Sequence, residues 1–324
     1  MFGVNALSEI VEKGIKSLNI PEEPNQLYEP IRYSLASGGK RIRPVLVLAS
    51  CNVFSESVDS ALFPALAIEV FHNFTLIHDD IMDNAAIRRN QPSVYSKWGS
   101  NIAILSGDAM NIIAYQLISK TPKHYLKAVF NEFNTIALAV CDGQQLDMNF
   151  EKLQYVSKEE YIKMIELKTA ALLKGALTIG ATLGDASKKD TSSIGEFGRF
   201  LGIAFQLQDD LLDVYGNSSS FGKTLGGDIV ENKKTYLTVM ALSNAKGKTL
   251  ELLNSYYKVQ NIDPAVKIAE VKKIFDEIGV KAMTEEAIKD YFKKSMQFLD
   301  AVKVSEERKD VLSCLAKSIM DREK

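Results

Sequence analysis

Two clusters of aspartates share the pattern DDxxD and are the residues best suited to chemistry. One cluster consists of Asp79, Asp80 and Asp83, and the other of Asp209, Asp210 and Asp213. In each, the first and last aspartates are four residues apart, so on a helix they share one face. Like charges at this spacing repel, and the C-terminal end of a helix already carries negative potential. The pattern therefore predicts bound cations at both places.

Magnesium is the cation that this pattern favours. Carboxylates with few nearby His or Cys residues suit Mg²⁺ or Ca²⁺ rather than Zn²⁺. Mg²⁺ typically takes one or two protein carboxylates and completes its shell with water and substrate phosphates. Two clusters therefore suggest a metal-bridged diphosphate. The alternative is a pair of solvated acidic helix ends, but both clusters follow segments too apolar to lie at a surface.

Basic residues stand near both clusters. The segment GGKRIRP (38–44) puts three cations in a glycine-led turn, where Arg forks and backbone N–H groups can bind phosphate oxygens. Arg88 and Arg89 follow the first cluster, and Lys233 and Lys234 follow the second, as does the GKT segment at 222–224. Each group alone could be a solvated basic turn. GKT is not the end of a nucleotide P-loop, because Asn217 stands where that motif requires glycine.

Three further side chains are candidates for the chemistry, two of them by their helical spacing from an aspartate. His72 precedes Asp79 by seven residues and Gln206 precedes Asp209 by three, so each shares a helix stripe with an aspartate. His72 could equally be an ordinary core residue. Lys168 stands beside an apolar run, and a lysine buried there would need an anion.

The segments that must position these residues have a helical periodicity. Apolar residues recur at steps of three and four over 60–83 and 193–215, and no proline lies between Pro122 and Pro264. Ser157 and Glu160 form a capping box that predicts a helix start. No alternating strand pattern or linker is visible. We predict one all-α domain over residues 1–324, a large helical bundle with a central apolar cavity.

Composition narrows the function classes. The chain has 324 residues, with 39 Lys and Arg against 41 Asp and Glu, which argues against a nucleic-acid partner. The three cysteines form no CxxC pair, which fits a reducing compartment, and we expect a cytoplasmic protein. The sequence shows no secretory signal pattern, and no uncharged apolar stretch is long enough to predict a membrane span.

Five motifs, in order, carry a resemblance to a known family. They are GGKRIRP (38–44), HNFTLIHDDIMDNAAIRR (72–89), GQQLD (143–147), KT (168–169) and FQLQDDLLD (205–213). Over residues 25–320 the chain resembles the trans-isoprenyl diphosphate synthases, or polyprenyl synthetases. The resemblance implies the isoprenoid synthase fold, a homodimer, and Mg²⁺-dependent condensation of isopentenyl diphosphate with allylic diphosphates.

The resemblance also implies a role for each matching residue. Asp79 and Asp83 would bind Mg²⁺ on one side of the allylic diphosphate and Asp209 on the other, with about three ions per active site. Asp80, Asp210 and Asp213 complete the predicted set of metal-site residues. Of these, Asp80 and Asp213 would support the metal ligands without direct contact to the ion, or would bind it through water. The groups expected to hold the allylic diphosphate are Arg88, Lys168, Lys223 and Lys233, and those for isopentenyl diphosphate are Lys40, Arg43, His72 and Arg89. Thr169, Gln206 and Phe205 would line the carbocation site, and Gln144 would contact substrate.

Rival functions and the product length stay open at this point. A class I terpene cyclase also uses DDxxD, and an inactive partner subunit of a heteromeric synthase would share the fold. GGKRIRP and a second full DDxxD disfavour both. Phe74 and Thr75, five and four residues before Asp79, resemble the pair in synthases that stop near C20, with Phe71 one turn deeper. We expect geranylgeranyl diphosphate, with farnesyl diphosphate or a longer product as alternatives, unless Phe74 is ordinary core.

One position departs from the family pattern. Where the family often has histidine three residues after the proline that follows the Arg pair, this chain has Tyr95. The departure removes none of the principal ligands that the resemblance implies, and it leaves the role of Tyr95 open.

Overall fold

The computed structural model describes residues 1–216, 225–258 and 262–321, and these residues are helical almost throughout. The helices are α1 (Val4–Lys16), α2 (Asn25–Ala36), α3 (Ile42–Phe54), α4 (Asp59–Met82), α5 (Val94–Trp98), α6 (Ser100–Ile118), α7 (Lys123–Glu151), α8 (Lys158–Ile165), α9 (Ala171–Leu183), α10 (Lys188–Tyr215), α11 (Gly227–Val230), α12 (Tyr236–Asn244), α13 (Gly247–Lys258), α14 (Pro264–Ile278), α15 (Val280–Asp300) and α16 (Glu306–Met320). Two short antiparallel strands, β1 (Ile87–Arg88) and β2 (Gln91–Pro92), form a hairpin. The predicted all-α class is confirmed.

Contacts within the chain define two compact units. Unit 1 comprises residues 1–135, 175–195 and 301–315, and unit 2 comprises 136–174, 196–300 and 316–324. The first aspartate cluster belongs to unit 1 and the second to unit 2. The single domain over residues 1–324 stays a prediction.

The helix that carries the first aspartate cluster lies in the core of unit 1. Helix α4 packs against α3 and α6 and buries Ile68, Val70 and Phe71 almost completely. It ends as predicted at the cluster, where the amide of Asp83 bonds the carbonyl of Asp79 at 2.8 Å. Asn84 then takes a left-handed conformation, which an α-helix cannot continue. The long apolar helix thus delivers the aspartates at its C-terminal end.

Helix α4 is also the one described helix whose length and composition would allow it to cross a membrane. More than half of its most apolar stretch is buried inside the protein. A buried helix of this kind is what the core of a helical protein contains, so its apolarity is accounted for by packing.

In unit 2 the predicted capping box is present and begins α8. The Ser157 hydroxyl accepts from the Glu160 amide, and the Glu160 carboxylate accepts from the Ser157 amide. The α-helix that begins at this box ends at Ile165, because residues Glu166–Ala170 form a π-helical turn before α9 begins. Such turns are rare and are often found at functional sites. This one contains the predicted site residues Lys168 and Thr169.

Candidate active site

The first aspartate cluster contains one buried anchor and two more accessible carboxylates. Asp80 is 2% exposed, and its Oδ1 accepts from Nε and Nη2 of Arg88 at 2.8 and 2.5 Å. Burial would lower the pKa of Arg88, but its hydrogen bonds to Asp80 raise it above the ordinary value, so this guanidinium stays charged. Asp79 and Asp83 lie half-buried at the helix end. The cluster therefore fixes a cation beside two carboxylates four residues apart.

The glycine-led turn at 38–44 is tied to the residues that follow this cluster. Arg89 donates from Nη1 to the carbonyl oxygen of Gly38. Gly39 has φ +124°, and a Cβ at this position would lie 3.0 Å from Cζ of Arg89. Glycine is therefore required for the backbone conformation, and a side chain at this position would also push the guanidinium back by a few tenths of an ångström.

Of the three cations in this turn, Arg41 points inward. It is buried, and its Nη1 and Nε bond Glu69 at 2.6 Å and Glu12 at 3.1 Å. Its left-handed backbone, with φ +46°, is uncommon for a side chain with a Cβ. Arg41 thus holds the turn, while Lys40 is exposed and Arg43 half-buried. The resemblance assigns Arg41 no substrate, and the carboxylates of Glu69 and Glu12 account for its charge; the roles of Lys40 and Arg43 stay predictions.

His72 is held neutral beside Arg43. Nη1 of Arg43 lies 3.1 Å from Nε2 of His72, and because a guanidinium only donates, Nε2 must accept and Nδ1 carries the proton. Burial lowers the pKa of His72 well below its usual value, and the charges of Arg43, Arg89 and Arg88 lower it further. The structure therefore brings His72 and Arg43 together as the motifs predicted.

In unit 2 the π turn is held against two helices. A Cβ on Gly143 of α7 would come within 2.3 Å of the amide nitrogen of Lys168, and one on Gly202 of α10 within 2.5 Å of Cα of Ala170. Both glycines are needed because backbone meets backbone there. Nζ of Lys168 bonds Oδ2 of Asp147 at 2.5 Å. The anion that a partly buried lysine requires is thus the last residue of GQQLD.

Thr169 and Gln206 are joined to the second aspartate cluster by hydrogen bonds. The hydroxyl of Thr169 donates to Oε1 of Gln206 at 2.8 Å, and Nε2 of Gln206 donates to Oδ1 of Asp210 at 3.0 Å. Oδ2 of Asp210 accepts from the hydroxyl of Tyr161 and from the amide of Tyr236. Burial raises the pKa of Asp210 to about 7, although these donors oppose the shift.

The other members of the second cluster differ in burial. Asp209 is half-buried, whereas Asp213 is buried and its Oδ2 accepts from the amide of Asp228 at 3.2 Å. Asp213 therefore orients the segment in which α11 begins. Nζ of Lys233 lies 3.1 Å from Glu231. Lys223 lies outside the described residues.

Two further predicted residues occupy half-buried positions beside these networks. Gln144 follows Gly143 on α7, and Phe205 precedes Gln206 on α10. Their neighbours in sequence are thus residues whose backbone or side chain contacts the π turn. Their predicted contacts with substrate stay predictions.

The predicted chain-length residues belong to an aromatic cluster in unit 1. The ring of Phe74 lies 5.4 Å from that of Phe71 and 4.7 Å from that of His78. Phe71 is buried and packs in turn on Phe133 of α7 at 5.3 Å. Thr75 turns its hydroxyl back to the carbonyl of His72 at 2.8 Å. Phe74 therefore has a second aromatic layer behind it.

Tyr95 contacts the end of the first cluster. Its hydroxyl donates to Oδ1 of Asn84 at 3.2 Å, and Asn84 directly follows Asp83. The residue that departs from the family pattern thus supports the turn at which α4 ends.

Sequence reasoning missed the parts played by Tyr161, Asp147 and Gly202. Asp147 stood inside a recognised motif, which was the available signal for it. The seven-residue spacing between Tyr161 and Lys168 gives no clear signal, because the π turn at Glu166–Ala170 shifts the helical register between them. Gly202 gave none, because its importance depends on a helix distant in sequence.

The carboxylates suit Mg²⁺ better than a metal held by the protein alone. Within residues 1–216, 225–258 and 262–321, no group of three or more His, Cys, Asp or Glu side chains is arranged to hold a metal ion. Instead, the half-buried Asp79 and Asp83 lie at the end of α4, and the half-buried Asp209 lies near the end of α10. Mg²⁺ bound by one or two carboxylates and by substrate phosphates fits this donor set.

Comparison with known proteins decides the family. The family model for polyprenyl synthetases matches residues 24–278 of this chain. The chain belongs to the polyprenyl synthetase family. This confirms the family predicted from the motifs, and the matched residues contain both aspartate clusters.

Relatives and solved structures cover the chain from end to end. It is 35% identical over 321 residues to a short chain isoprenyl diphosphate synthase of Methanothermobacter thermautotrophicus, covering 98% of this chain and 96% of the relative. It is also 35% identical to a geranylgeranyl diphosphate synthase of Methanosarcina mazei, covering 97% and 92%. A crystal structure of a geranylgeranyl pyrophosphate synthase, 38% identical, superposes with a TM-score of 0.95 over 100% of both chains.

Proposed function

We propose that this polyprenyl synthetase is a trans-prenyltransferase with geranylgeranyl diphosphate as its main product. It would condense isopentenyl diphosphate with allylic diphosphates of five, ten and fifteen carbons and release pyrophosphate. The observation that carries the proposal is the repeated design of the two clusters. In each DDxxD the middle aspartate is anchored in the core by protein donors, while Asp79, Asp83 and Asp209 remain partly accessible.

The charges support a separate role for each basic group. Arg88 is fixed by the anchor of the first cluster, so it belongs with the allylic diphosphate and Mg²⁺. Lys40 and Arg43 belong to the glycine-led turn, Arg89 bonds the turn at Gly38, and His72 bonds Arg43. These four residues would take isopentenyl diphosphate. Two diphosphates repel each other, so each needs its own cations.

The reaction requires stabilisation of negative charge on a leaving group. The C–O bond of the allylic diphosphate breaks, and its electron pair departs with pyrophosphate. Mg²⁺, when bound, would act as a Lewis acid on the phosphate oxygens; Asp79 and Asp83 would hold it at the first cluster, and Asp209 would hold it at the second. Arg88 and Lys168 add fixed positive charge, which needs no reorganisation as the bond breaks.

Bond formation and proton loss complete the reaction. The double bond of isopentenyl diphosphate attacks the allylic cation, forming one C–C bond, and a proton then leaves the adjacent carbon. Nε2 of His72 already accepts from Arg43, so this ring is not placed as the base. We propose departing pyrophosphate as the proton acceptor. Exclusion of water protects the cation meanwhile.

The C20 product is proposed from Phe74 and from the names of the relatives. The aromatic cluster behind Phe74 can stop a growing chain, and the M. mazei relative is named a geranylgeranyl diphosphate synthase. Farnesyl diphosphate is the second candidate. It would be the product if the chain stopped one C5 unit earlier, at a position nearer to the aspartates than Phe74. The homodimer, which the family resemblance implies, and the cytoplasmic location, which we expect from the sequence, belong to this proposal.

The test supplies labelled isopentenyl diphosphate with C5, C10 or C15 starters, with Mg²⁺ or with EDTA. We expect C20 product from all three starters and none in EDTA. Asp79→Ala and Asp209→Ala should each lower kcat by on the order of 10²–10³ with the fold retained by circular dichroism. Conversion of an allylic diphosphate to a hydrocarbon without use of isopentenyl diphosphate would point to a cyclase. Absence of any turnover in Mg²⁺ would point to an inactive subunit.

A further inference from the structure

A row of hydrogen bonds in unit 2 runs from a buried tyrosine to the predicted carbocation site. Tyr161 on α8 is 2% exposed and donates its hydroxyl to Oδ2 of Asp210, which is 3% exposed. The amide of Tyr236 donates to the same oxygen at 2.9 Å, and Nε2 of Gln206 donates to Oδ1 at 3.0 Å. Both oxygens of this carboxylate are therefore engaged by protein donors.

The direction of these bonds fixes the orientation of the Gln206 amide. The Tyr161 hydroxyl and the Tyr236 amide favour the ionised form of Asp210, and in that form the carboxylate only accepts, so the NH₂ group of Gln206 faces Asp210 and its carbonyl oxygen faces away. That oxygen accepts the single hydroxyl proton of Thr169 at 2.8 Å. At the end of the row away from Asp210, the oxygens of Thr169 and Gln206 then have lone pairs left for the predicted carbocation site. A reversed amide would present N–H groups instead.

An oxygen-lined surface is what an allylic cation requires. Dipoles that are already oriented when charge develops stabilise it without a reorganisation cost. We propose that Tyr161 is a positioning residue for ionisation: acting through Asp210, it fixes the polarity of Gln206 and Thr169 toward the cation. Asp210 is then the anchor of this row rather than a metal ligand. The inference rests on the proposed prenyltransferase function.

The first experiment removes only the hydroxyl of Tyr161. Tyr161→Phe should lower kcat about tenfold, while KM for both diphosphates and the Mg²⁺ dependence change less than about twofold. The matched control is Tyr215→Phe, which removes a phenol that donates to Asp276 at 2.6 Å and should keep kcat. A Tyr161→Phe enzyme with wild-type kcat, or one in which the Mg²⁺ requirement rises, overturns the proposal.

A double-mutant cycle separates positioning from general loosening of the fold. If Tyr161 acts through Gln206, Tyr161→Phe should cause no further loss of kcat in a Gln206→Ala background. The same fold-loss in both backgrounds would mean that Tyr161 serves only stability. Circular dichroism and thermal unfolding of each variant accompany the kinetics.

A second variant tests the bond between Gln206 and Asp210 and does not depend on Tyr161→Phe being folded. Gln206→Glu keeps the length and the oxygen that faces Thr169, but its carboxylate cannot donate to Asp210 and is repelled by it, so the side chain is no longer held in place. It should lose as much kcat as Gln206→Ala. Retained kcat in Gln206→Glu would show that the bond to Asp210 positions nothing and would overturn the proposal. A wild-type chain without condensation activity would reject the proposed function and this inference with it, whereas an active wild type with an unaffected Tyr161→Phe rejects the inference alone.

Discussion

Replacing Gly143 by alanine tests whether the π turn sets the chemistry. The added Cβ would lie 2.3 Å from the Lys168 amide nitrogen and 2.6 Å from its Cα, whereas ordinary contact begins at 3.4 Å. Because both opposing atoms are backbone, α7 and the turn must separate by about 1 Å. Overpacking of this kind costs about 1–3 kcal/mol. Alanine has a higher helix propensity than glycine, which offsets this cost by about 1 kcal/mol. The net loss of unfolding free energy is therefore about 0–2 kcal/mol.

The loss of activity in Gly143→Ala should exceed what this loss of stability explains. A displacement of about 1 Å moves Lys168 and Thr169 relative to the reacting atoms, which costs on the order of 10²-fold in kcat. Steady-state incorporation of labelled isopentenyl diphosphate measures kcat, and thermal unfolding measures stability. Gly3→Ala is the matched control, because a Cβ there meets nothing within 4 Å. A folded Gly143→Ala enzyme with kcat within twofold of wild type would refute the reasoning.

Three further predictions concern unit 1. Arg43→Lys should raise KM for isopentenyl diphosphate about tenfold or more and leave KM for the allylic substrate unchanged, because lysine cannot reproduce the guanidinium fork; equal rises in both KM values would contradict the assignment. The pKa of His72 in the folded state lies below its unfolded value of about 6.5, so the unfolded chain takes up the proton more readily. The free energy of unfolding therefore falls as the pH drops below about 6.5. His72→Gln should therefore lose less unfolding free energy than wild type between about pH 7.5 and 5.5 in denaturant titrations; parallel losses would count against a neutral His72. Asp80→Asn should raise KM for the allylic diphosphate, because Arg88 loses its charged partner, and an unchanged KM would separate Arg88 from that substrate.

The elements that carry the aspartates were predictable because their signals are local. Three- and four-residue periodicity placed helices over 60–83 and 193–215, and the structure has α4 at Asp59–Met82 and α10 at Lys188–Tyr215. The capping box at Ser157 likewise needs only neighbours in sequence. Burial of α4 and α10 then follows from their apolar composition. Periodicity therefore predicted the positions of both helices and that each aspartate cluster lies near a helix C-terminus.

The features that escaped prediction depend on distant contacts. The π turn at Glu166–Ala170 is contacted by the backbones of Gly143 and Gly202, which nothing in its own sequence reveals. Arg41 is indistinguishable from Arg43 in a basic motif, and its inward orientation depends on Glu69 and Glu12, which are 28 and 29 residues away in sequence. A basic motif shows which residues could bind a phosphate. A buried carboxylate elsewhere in the chain, such as Glu69, then determines which of those residues point into the core instead.

The aromatic layers of unit 1 give the last prediction, which concerns product length. Phe74 is partly exposed, whereas Phe71 behind it is buried and packs on Phe133. If Phe74 is the floor, Phe74→Ala should lengthen the product by one or two C5 units and no more, because Phe71 and Phe133 form the next barrier. Phe71→Ala alone should destabilise the fold by about 3–5 kcal/mol and leave the product at C20. Product lengths are read by mass spectrometry, with Phe63→Ala, on the same helix and exposed, as the matched control. An active Phe74→Ala enzyme that still stops at C20 would show that the stop lies elsewhere. One that runs far beyond C30 would show that Phe71 and Phe133 do not close the path behind it.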